Sequence, residues 1–122
     1  MTITYRVRLG AARGPIANDL HVSLKAYLGP LSKAIYRDHS SDAECEVVAI
    51  LRGDPCDPAK PLMQHGSVDP NAGIHPERWF SVRLFDNEVQ VTLRQPDEAT
   101  HALARGYAEF VARYWRGQLE TP

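Results

Sequence analysis

Cysteine is scarce in this sequence, and its scarcity excludes one architecture. The chain of 122 residues contains only Cys45 and Cys56, too few for the disulfide framework that stabilises many small secreted domains. Cys45 lies in an apolar stretch, which favours a buried thiol acting as a small hydrophobic side chain over a bridge to Cys56. A chain of this length can instead be stabilised by burial of a single core, so we predict one domain over residues 1–122.

Long apolar runs and a strong charge of either sign are also missing. The longest apolar run, from Val47 to Leu51, is far shorter than the roughly 20 residues that a membrane-spanning helix requires, and "MTITYRVRLG" has no secretory h-region. We therefore expect a soluble, cytoplasmic protein without a membrane partner. Lys and Arg number 14 against 15 for Asp and Glu, a formal net charge of -1, and this balance disfavours general attraction to nucleic acid.

Motifs for nucleotide and nucleophilic chemistry are absent. Neither G-x-x-x-x-G-K-[ST] nor G-x-G-x-x-G occurs, so no phosphate cradle is indicated. No G-x-S-x-G is present, and we interpret "DHSSD" as a polar turn because a catalytic triad is assembled from separate elements. His21 and His101 are predicted on the polar sides of helices without an evident carboxylate partner. We expect no catalytic residues and no cofactor.

Alternation of polar and apolar residues predicts strands in three parts of the chain. Residues 2–9 alternate cleanly, which is the period of a half-buried strand. Residues 44–52 carry apolar side chains on both faces, as in a strand at the middle of a sheet whose second face is covered. Two alternating runs flank Asp86-Asn87, a residue pair that suits a β-hairpin turn.

Two further segments have helical periodicity. From Pro15 to Ile35, apolar residues recur at helical spacing through Gly29-Pro30, which predicts one kinked helix or two short helices in line, followed by a turn at residues 37–44. Residues 20–28 also alternate, so a strand is an alternative interpretation there. Residues 96–117 form a well-marked helix with acidic residues at its start and basic residues at its end.

The element order is therefore β-α-β, a long loop, and β-β-α. Orders of this kind place helices on one face of a largely antiparallel sheet, so we predict an α+β two-layer sandwich of about four strands with two helices on one face. The loop spans residues 53–78 and contains Cys56, His65 and His75. These side chains lack the paired short spacings of a zinc site, so no metal is predicted.

The sheet face opposite the helices is the first candidate binding surface. Period-two alternation directs arginines and aromatic residues to it, a mixture that suits contacts with an acidic protein segment and, with less support, a nucleic-acid strand. The alternative interpretation is cross-strand ion pairing with Glu44, Glu46 and Glu88. With two histidines of the loop added, the candidate binding residues are Arg6, Arg8, Trp79, Arg83, Phe85, Arg94, His65 and His75.

The C-terminal helix has a wider apolar surface than one sheet face requires. A stripe that contains Leu103, Tyr107 and Phe110 suffices for packing on the sheet, so a second stripe implies a neighbouring helix or a partner subunit. The interface candidates on this second stripe are Ala104, Ala108, Val111 and Trp115. This pattern favours a homodimer.

Taken together, these features favour a small non-enzymatic binding protein of the accessory, adaptor or immunity/inhibitor type. It would meet a protein partner or a second copy through the sheet face or the loop. The alternative is a small-ligand-binding or hydrolytic domain with a pocket between the sheet and residues 54–78, because long loops in compact domains are commonly functional. The polar groups proposed for such a pocket are His65, His75, Arg83 and Asp69.

The loop also carries apolar residues, and these suggest a structural role for it. It enters and leaves beside a sheet whose second face holds Val48 and Ile50. We therefore expect the loop to pack at least partly across that face. The apolar loop residues in question are Leu62, Met63, Val68 and Ile74.

Overall fold

The computed structural model describes residues 2–10, 14–54, 63–64, 67–68 and 76–122. Within these ranges the strands are β1 (Thr2–Arg8), β2 (Ser32–Ser41), β3 (Glu44–Leu51), β4 (Met63–Gln64), β5 (Ser67–Val68), β6 (Trp79–Phe85), β7 (Glu88–Arg94) and β8 (Gln118–Glu120). The helices are α1 (Ala17–Leu28) and α2 (Glu98–Tyr114), and short 3-10 turns cover Gly29–Leu31 and Pro76–Arg78.

Antiparallel pairing joins six of the strands into one sheet, in the order β2-β3-β6-β7-β1-β8. A separate two-stranded sheet consists of β4 and β5. Strand β1 lies between β7 and β8, with Tyr5 opposite Val91 and Val7 opposite Leu119. The sheet is larger than the sequence predicted because residues 32–41 and 118–120 also pair as strands.

Both helices pack on the same face of this sheet, which confirms the predicted α+β class. Helix α1 buries Leu20, Leu24 and Leu28, and α2 buries Tyr107 and Val111, all in one core. Burial of each such large side chain contributes roughly 1.5–3 kcal/mol to folding. Among the described residues, no helix is long and apolar enough to cross a membrane. The strand residues of the core are Tyr5, Val7, Leu9, Cys45, Val47, Ala49, Leu51, Phe80, Val82, Leu84, Val89, Val91 and Leu93.

The segment after α1 differs from the sequence prediction. The helical interpretation of residues 20–28 is correct, but α1 ends at Leu28 and does not continue to Ile35. The reason is that Gly29 has a φ of 51°, a backbone conformation that favours glycine, and Pro30 cannot donate to the helical ladder. Ile35 then reaches the core from strand β2, opposite Ala49. The predicted turn at residues 37–44 is the end of β2 and its hairpin to β3.

The hairpin between β6 and β7 forms where the sequence predicted it. Asp86 and Asn87 have φ values of 52° and 60°, the conformation of the tight turn that matches the twist of two antiparallel strands. The turn is also tied to the end of β1: Asn87 Nδ2 donates to the Leu9 carbonyl at 3.0 Å, and the Leu9 amide donates to the Asn87 carbonyl at 3.1 Å. These bonds hold three consecutive strands of the sheet at one end.

Candidate functional site

The arginines of β1 on the sheet face opposite the helices are paired with acidic side chains. Arg6 Nη1 lies 3.2 Å from Glu88 Oε2, and Arg8 Nε lies 2.9 Å from Glu120 Oε1. Strand register explains both pairs, because β7 and β8 place these glutamates on the same face as the two arginines. The charge of Arg6 and Arg8 is thus largely balanced within the chain, which weakens the support for their predicted binding role.

The aromatic part of this face is smaller than the sequence indicated. Trp79 is only 6 % exposed, and its neighbours Val48 and Ile50 are 0 % exposed, so the indole cannot serve as an open stacking platform. Phe85 is 43 % exposed, with the Arg83 guanidinium 5.0 Å from the centre of its ring, an attractive cation–π arrangement. What this face offers a partner is therefore mainly Phe85 with Arg83. Arg94 is exposed at the far end of β7.

An acidic side chain lies in the middle of the same face. Glu46 stands opposite Arg83 in the pairing of β3 with β6. Partial burial raises the pKa of the Glu46 carboxyl, the charge of Arg83 opposes this rise, and the charge of Asp38 adds to it. Acidic and basic side chains are therefore mixed on this face, and they form no continuous cationic track for a nucleic-acid backbone. Of the glutamates in the ion-pairing alternative, Glu88 forms ion pairs with Arg6 and Arg8.

The loop candidates lie outside the residues that the structure describes. This applies to His65 and His75 as binding residues, and to the proposed pocket between the sheet and residues 54–78. It applies as well to the expected packing of the loop across the second sheet face. In the described part of the chain, no group of three or more His, Cys, Asp or Glu side chains is arranged to hold a metal ion.

His101 has a hydrogen-bond partner that the sequence did not reveal. Its Nε2 atom lies 2.6 Å from the hydroxyl of Tyr5, a side chain that is only 4 % exposed. This contact ties the first turns of α2 to β1. His21 differs, since burial and then the charges of Arg37 and Lys25 lower the pKa of its imidazole. Among the described residues, neither histidine forms a hydrogen bond with a serine, threonine or cysteine side chain that could act as a nucleophile.

The interface candidates on α2 are buried inside the chain. Ala104, Ala108 and Val111 are each 0 % exposed and belong to the core, and Trp115 is partly buried against it. Small alanine side chains let α2 approach the sheet closely, so this stripe faces the strands. Packing within the chain therefore accounts for Ala104, Ala108 and Val111, and an interface on this stripe stays a prediction that involves Trp115. Of the stripe assigned to the sheet, only Tyr107 is fully buried.

The rest of that stripe forms one side of a groove between the two helices. Phe110 is partly exposed and Tyr114 is 68 % exposed, while Tyr27 of α1, 37 % exposed, forms the other side. The ring centres are 5.6 Å apart for Tyr27 and Tyr107, 5.9 Å for Tyr107 and Phe110, and 5.5 Å for Phe110 and Tyr114. We call this the α1–α2 groove, a cavity of about 610 Å³ lined by Tyr27, Gly106, Phe110, Arg113, Tyr114 and Arg116.

Hydrogen bonds fix the floor of the groove. The Tyr27 hydroxyl donates to the Leu103 carbonyl at 3.1 Å, and the Tyr107 hydroxyl lies 2.8 Å from Ser23 Oγ and 3.3 Å from the Leu20 carbonyl. Burial raises the pKa of both phenols. Both hydroxyls thus remain neutral at physiological pH, and the charge of the groove comes from its arginines.

The two arginines of the groove have no acidic partner in the described part of the chain. Arg6, Arg8, Arg78 and Arg105 each form an ion pair, whereas Arg113 forms none. The same is true of Arg116, the other arginine of the groove. Exposed rings and uncompensated guanidinium groups therefore occur together here.

Arg116 also has an unusual backbone conformation. Helix α2 ends in a Schellman arrangement, in which the Gly117 amide donates to the Ala112 carbonyl at 2.8 Å. The residue before Gly117 takes the left-handed position of this motif, which is usually glycine, and here it is Arg116 with a φ of 53°. The conformation costs a non-glycine residue about 1 kcal/mol. Glycine is instead at 117, where a Cβ atom would meet Val7 Cγ1 at 2.6 Å.

Comparison with protein-family models, with curated proteins and with solved structures gives no significant match for this chain. The chemistry of the groove is therefore the available guide to function. Its described lining residues provide aromatic surface, one glycine and two cations. They include no carboxylate, imidazole or thiol, so this lining suits binding better than acid–base or nucleophilic catalysis.

Proposed function

We propose that this protein is a small, non-enzymatic, cytoplasmic binding protein of the accessory, adaptor or inhibitor type, and that it holds a protein partner in the α1–α2 groove. The observation that carries the proposal is the exposed Tyr114 ring and the partly exposed Phe110 ring beside Arg113 and Arg116. Aromatic residues and arginine are enriched where binding energy concentrates in protein interfaces. The floor held by Tyr27 presents these groups on a preformed surface, which lowers the entropic cost of binding.

Charge argues for a different protein as the occupant and against a second copy of this chain. A two-fold symmetric dimer places the same patch against itself. In the groove this would bring two copies of Arg113 and two of Arg116 together, and like charges at an interface are unfavourable. A homodimer through the groove is therefore an outcome that the experiment below must exclude.

The sheet face opposite the helices supports a second candidate surface for the same function. Phe85 is exposed there, with Arg83 over its ring. Arg6 and Arg8 are paired with glutamates on that face and Arg83 lies opposite Glu46, so acidic side chains there offset more of the positive charge than in the lining of the groove. The matched comparison is therefore between Phe85 on the sheet and Tyr114 in the groove, two exposed rings whose loss leaves the core intact.

The test captures partners with the full chain and with the variants Tyr114→Ser and Phe85→Ser, then repeats binding with the purified partner. We expect Tyr114→Ser to weaken binding at least tenfold, as for an interface hot spot, and Phe85→Ser to leave it unchanged. Loss of binding only in Phe85→Ser would move the site to the sheet face and refute the groove. Light scattering of the purified chain provides the control for self-association, and a dimer disrupted by Tyr114→Ser would contradict a heterologous partner.

A further inference from the structure

We infer that the α1–α2 groove recognises an acidic segment of a partner protein that also carries an apolar side chain, and that Arg116 is the residue that selects the acidic group. This inference rests on the proposed binding function and specifies its chemistry. Three features of the groove lead to it: its charge, its shape, and the backbone conformation at Arg116.

The charged residues that line the groove are both arginines, Arg113 and Arg116. Glu109 lies near Tyr27 at the edge of the groove, but its carboxylate is paired with Arg105. Some arginines elsewhere are compensated locally, as for Arg6 with Glu88 at 3.2 Å and Arg105 with Glu109 at 3.1 Å. Others, such as Arg83 and Arg94 on the sheet face, form no ion pair among the described residues. Arg113 and Arg116 have no such partner among the described residues. A guanidinium group presents paired donors that match a carboxylate, so an acidic side chain or a chain-terminal carboxylate would satisfy both arginines.

The shape of the groove adds a requirement for an apolar group. The rings of Phe110 and Tyr114 lie 5.5 Å apart in a stacked arrangement, and Tyr27 faces them from α1. A cavity of about 610 Å³ between Tyr27 and this stacked pair accommodates a large side chain. Burial of such a side chain supplies affinity, while the arginines supply selectivity for charge.

The backbone conformation at Arg116 distinguishes a ligand-binding role of this residue from the ordinary role of a basic residue at the end of a helix. A basic residue in the last turn of a helix interacts favourably with the helix dipole, which accounts for Arg113. It does not account for arginine at the left-handed position of a Schellman motif, where glycine avoids the steric penalty. Disfavoured backbone conformations persist where function requires the side chain. We therefore assign Arg116 to ligand recognition.

The chain supplies its own control for this interpretation. Gln95 also has a positive φ of 48°, and it lies just before the N-terminus of α2, at the other end of the helix from Arg116. It lines neither the groove nor the ion pairs of the sheet face. Replacement of either residue by glycine relieves the same kind of backbone strain, but only Arg116→Gly removes a guanidinium group from the groove.

The experiment compares wild type, Arg116→Gly, Arg116→Asn and Gln95→Gly as full chains. The probes are three labelled synthetic peptides in which one tryptophan is flanked by glutamates, by glutamines or by lysines. Both glycine variants should unfold a few degrees above wild type. The glutamate peptide should bind wild type and Gln95→Gly equally, and about tenfold more weakly to both Arg116 variants. Amide resonances of α1 and α2 should shift with the glutamate peptide in the ¹⁵N-labelled chain.

Several results would overturn the inference. Equal affinity for the glutamate and glutamine peptides, unchanged affinity in the Arg116 variants, or failure of all three peptides to bind would refute the acidic ligand. Tighter binding of a single-stranded oligonucleotide, with a steep decrease on addition of salt, would identify a nucleic acid instead. The proposed function is tested separately. If a partner protein binds the wild type and its binding is lost specifically in Tyr114→Ser, the groove remains a binding site even when the acidic-ligand inference fails.

Discussion

The Tyr27 hydroxyl lies directly over Gly106, in space that the Cβ atom of any other residue would occupy. From there it donates to the Leu103 carbonyl at 3.1 Å. Glycine costs about 1 kcal/mol relative to alanine in a helix interior, so α2 gives up helical stability at this position. In return, α1 and α2 approach closely enough for one tyrosine to join them at the floor of the groove.

A double-mutant cycle on this pair tests the packing. Gly106→Ala alone should be nearly neutral in stability, because the gain in helix propensity is offset by displacement of Tyr27 and loss of its hydrogen bond. In a Tyr27→Phe background, the nearest ring carbon lies 3.5 Å from the position of the new Cβ, an ordinary contact. Gly106→Ala should then stabilise the chain by up to about 1 kcal/mol. Urea unfolding of the four proteins measures this coupling, and strict additivity would contradict the proposed contact.

Removal of the N-cap of α2 should destabilise the fold. Asp97 accepts a hydrogen bond from the Thr100 amide at 2.8 Å and pairs with Arg78 at 3.1 Å. Asp97→Ala should lower the free energy of unfolding by about 1–2 kcal/mol at neutral pH. Glu98→Ala, in the same turn but without the cap contact, should cost only a few tenths of a kcal/mol. An equal effect of the two substitutions would contradict the capping role.

The effect of Asp97 should depend on pH. Burial tends to raise the pKa of its carboxyl, but hydrogen bonds from Thr100 and Arg78 outweigh it and hold the pKa below the ordinary value of 3.8. A lowered folded-state pKa contributes stability above the unfolded-state value, and this contribution is lost as pH falls through the folded-state value. Unfolding curves of wild type and Asp97→Ala should therefore converge as the solution becomes strongly acidic. A constant difference would show that the charge contributes nothing.

Glu46 should show the opposite pH dependence. Burial raises the pKa of its carboxyl above the ordinary value of 4.5, and Arg83 only partly opposes this. A raised folded-state pKa gives stability that is present below 4.5 and lost as pH rises through the folded-state value. Glu46→Gln should therefore unfold at higher urea concentration than wild type at pH 7, with a smaller difference at pH 4. Glu44→Gln, an exposed change on the same strand, is the control. A less stable Glu46→Gln protein at pH 7 would mean that the attraction of Arg83 exceeds the cost of burial.

The Tyr107 hydroxyl should contribute measurably to stability. It is fully buried and lies between Ser23 Oγ and the Leu20 carbonyl. Tyr107→Phe leaves the Ser23 hydroxyl without this partner and should cost about 1–2 kcal/mol. Adding Ser23→Ala should recover part of the loss, since both polar groups are then removed. Thermal unfolding of the three variants measures the recovery. No recovery would be expected if the bond that the Ser23 hydroxyl already donates to the Leu20 carbonyl, at 3.2 Å, is sufficient to satisfy it.

The parts of the fold that the sequence predicted are those in which periodicity and burial agree. Residues 2–9 and the runs around Asp86-Asn87 alternate strictly, because one side of each strand faces the core. Strand β2 lies at the sheet edge, and the side chains of residues 32–38 are exposed or partly exposed on both faces. Its period-two signal is correspondingly weak, and Ile35 continued the helical spacing of α1 by coincidence. The signal for the end of α1 was Gly29-Pro30, a pair that is typical of helix C-termini.

The groove was less accessible to sequence analysis because it depends on how two helices lie on one sheet. Periodicity showed that α2 has two apolar stripes, but it could not show which one faces the strands. The stripe of small residues, including Ala104 and Ala108, is the buried one. Phe110 and Tyr114 consequently belong to the surface. Tyr27 meets them only through tertiary packing, and the conformation of Arg116 follows from a capping motif whose usual glycine is absent.

The position of β1 has a consequence for biosynthesis. Both strands that flank it, β7 and β8, come from the last third of the chain. As the chain leaves the ribosome, β1 emerges before both of these strands, so its hydrogen-bonding edges have no partner until residues 88–94 and then residues 118–120 have been added. Pairing between such distant segments also slows folding. The nascent chain therefore carries an unpaired strand while the residues between β1 and its partners are synthesised, and an unpaired strand edge favours misassociation with neighbouring chains.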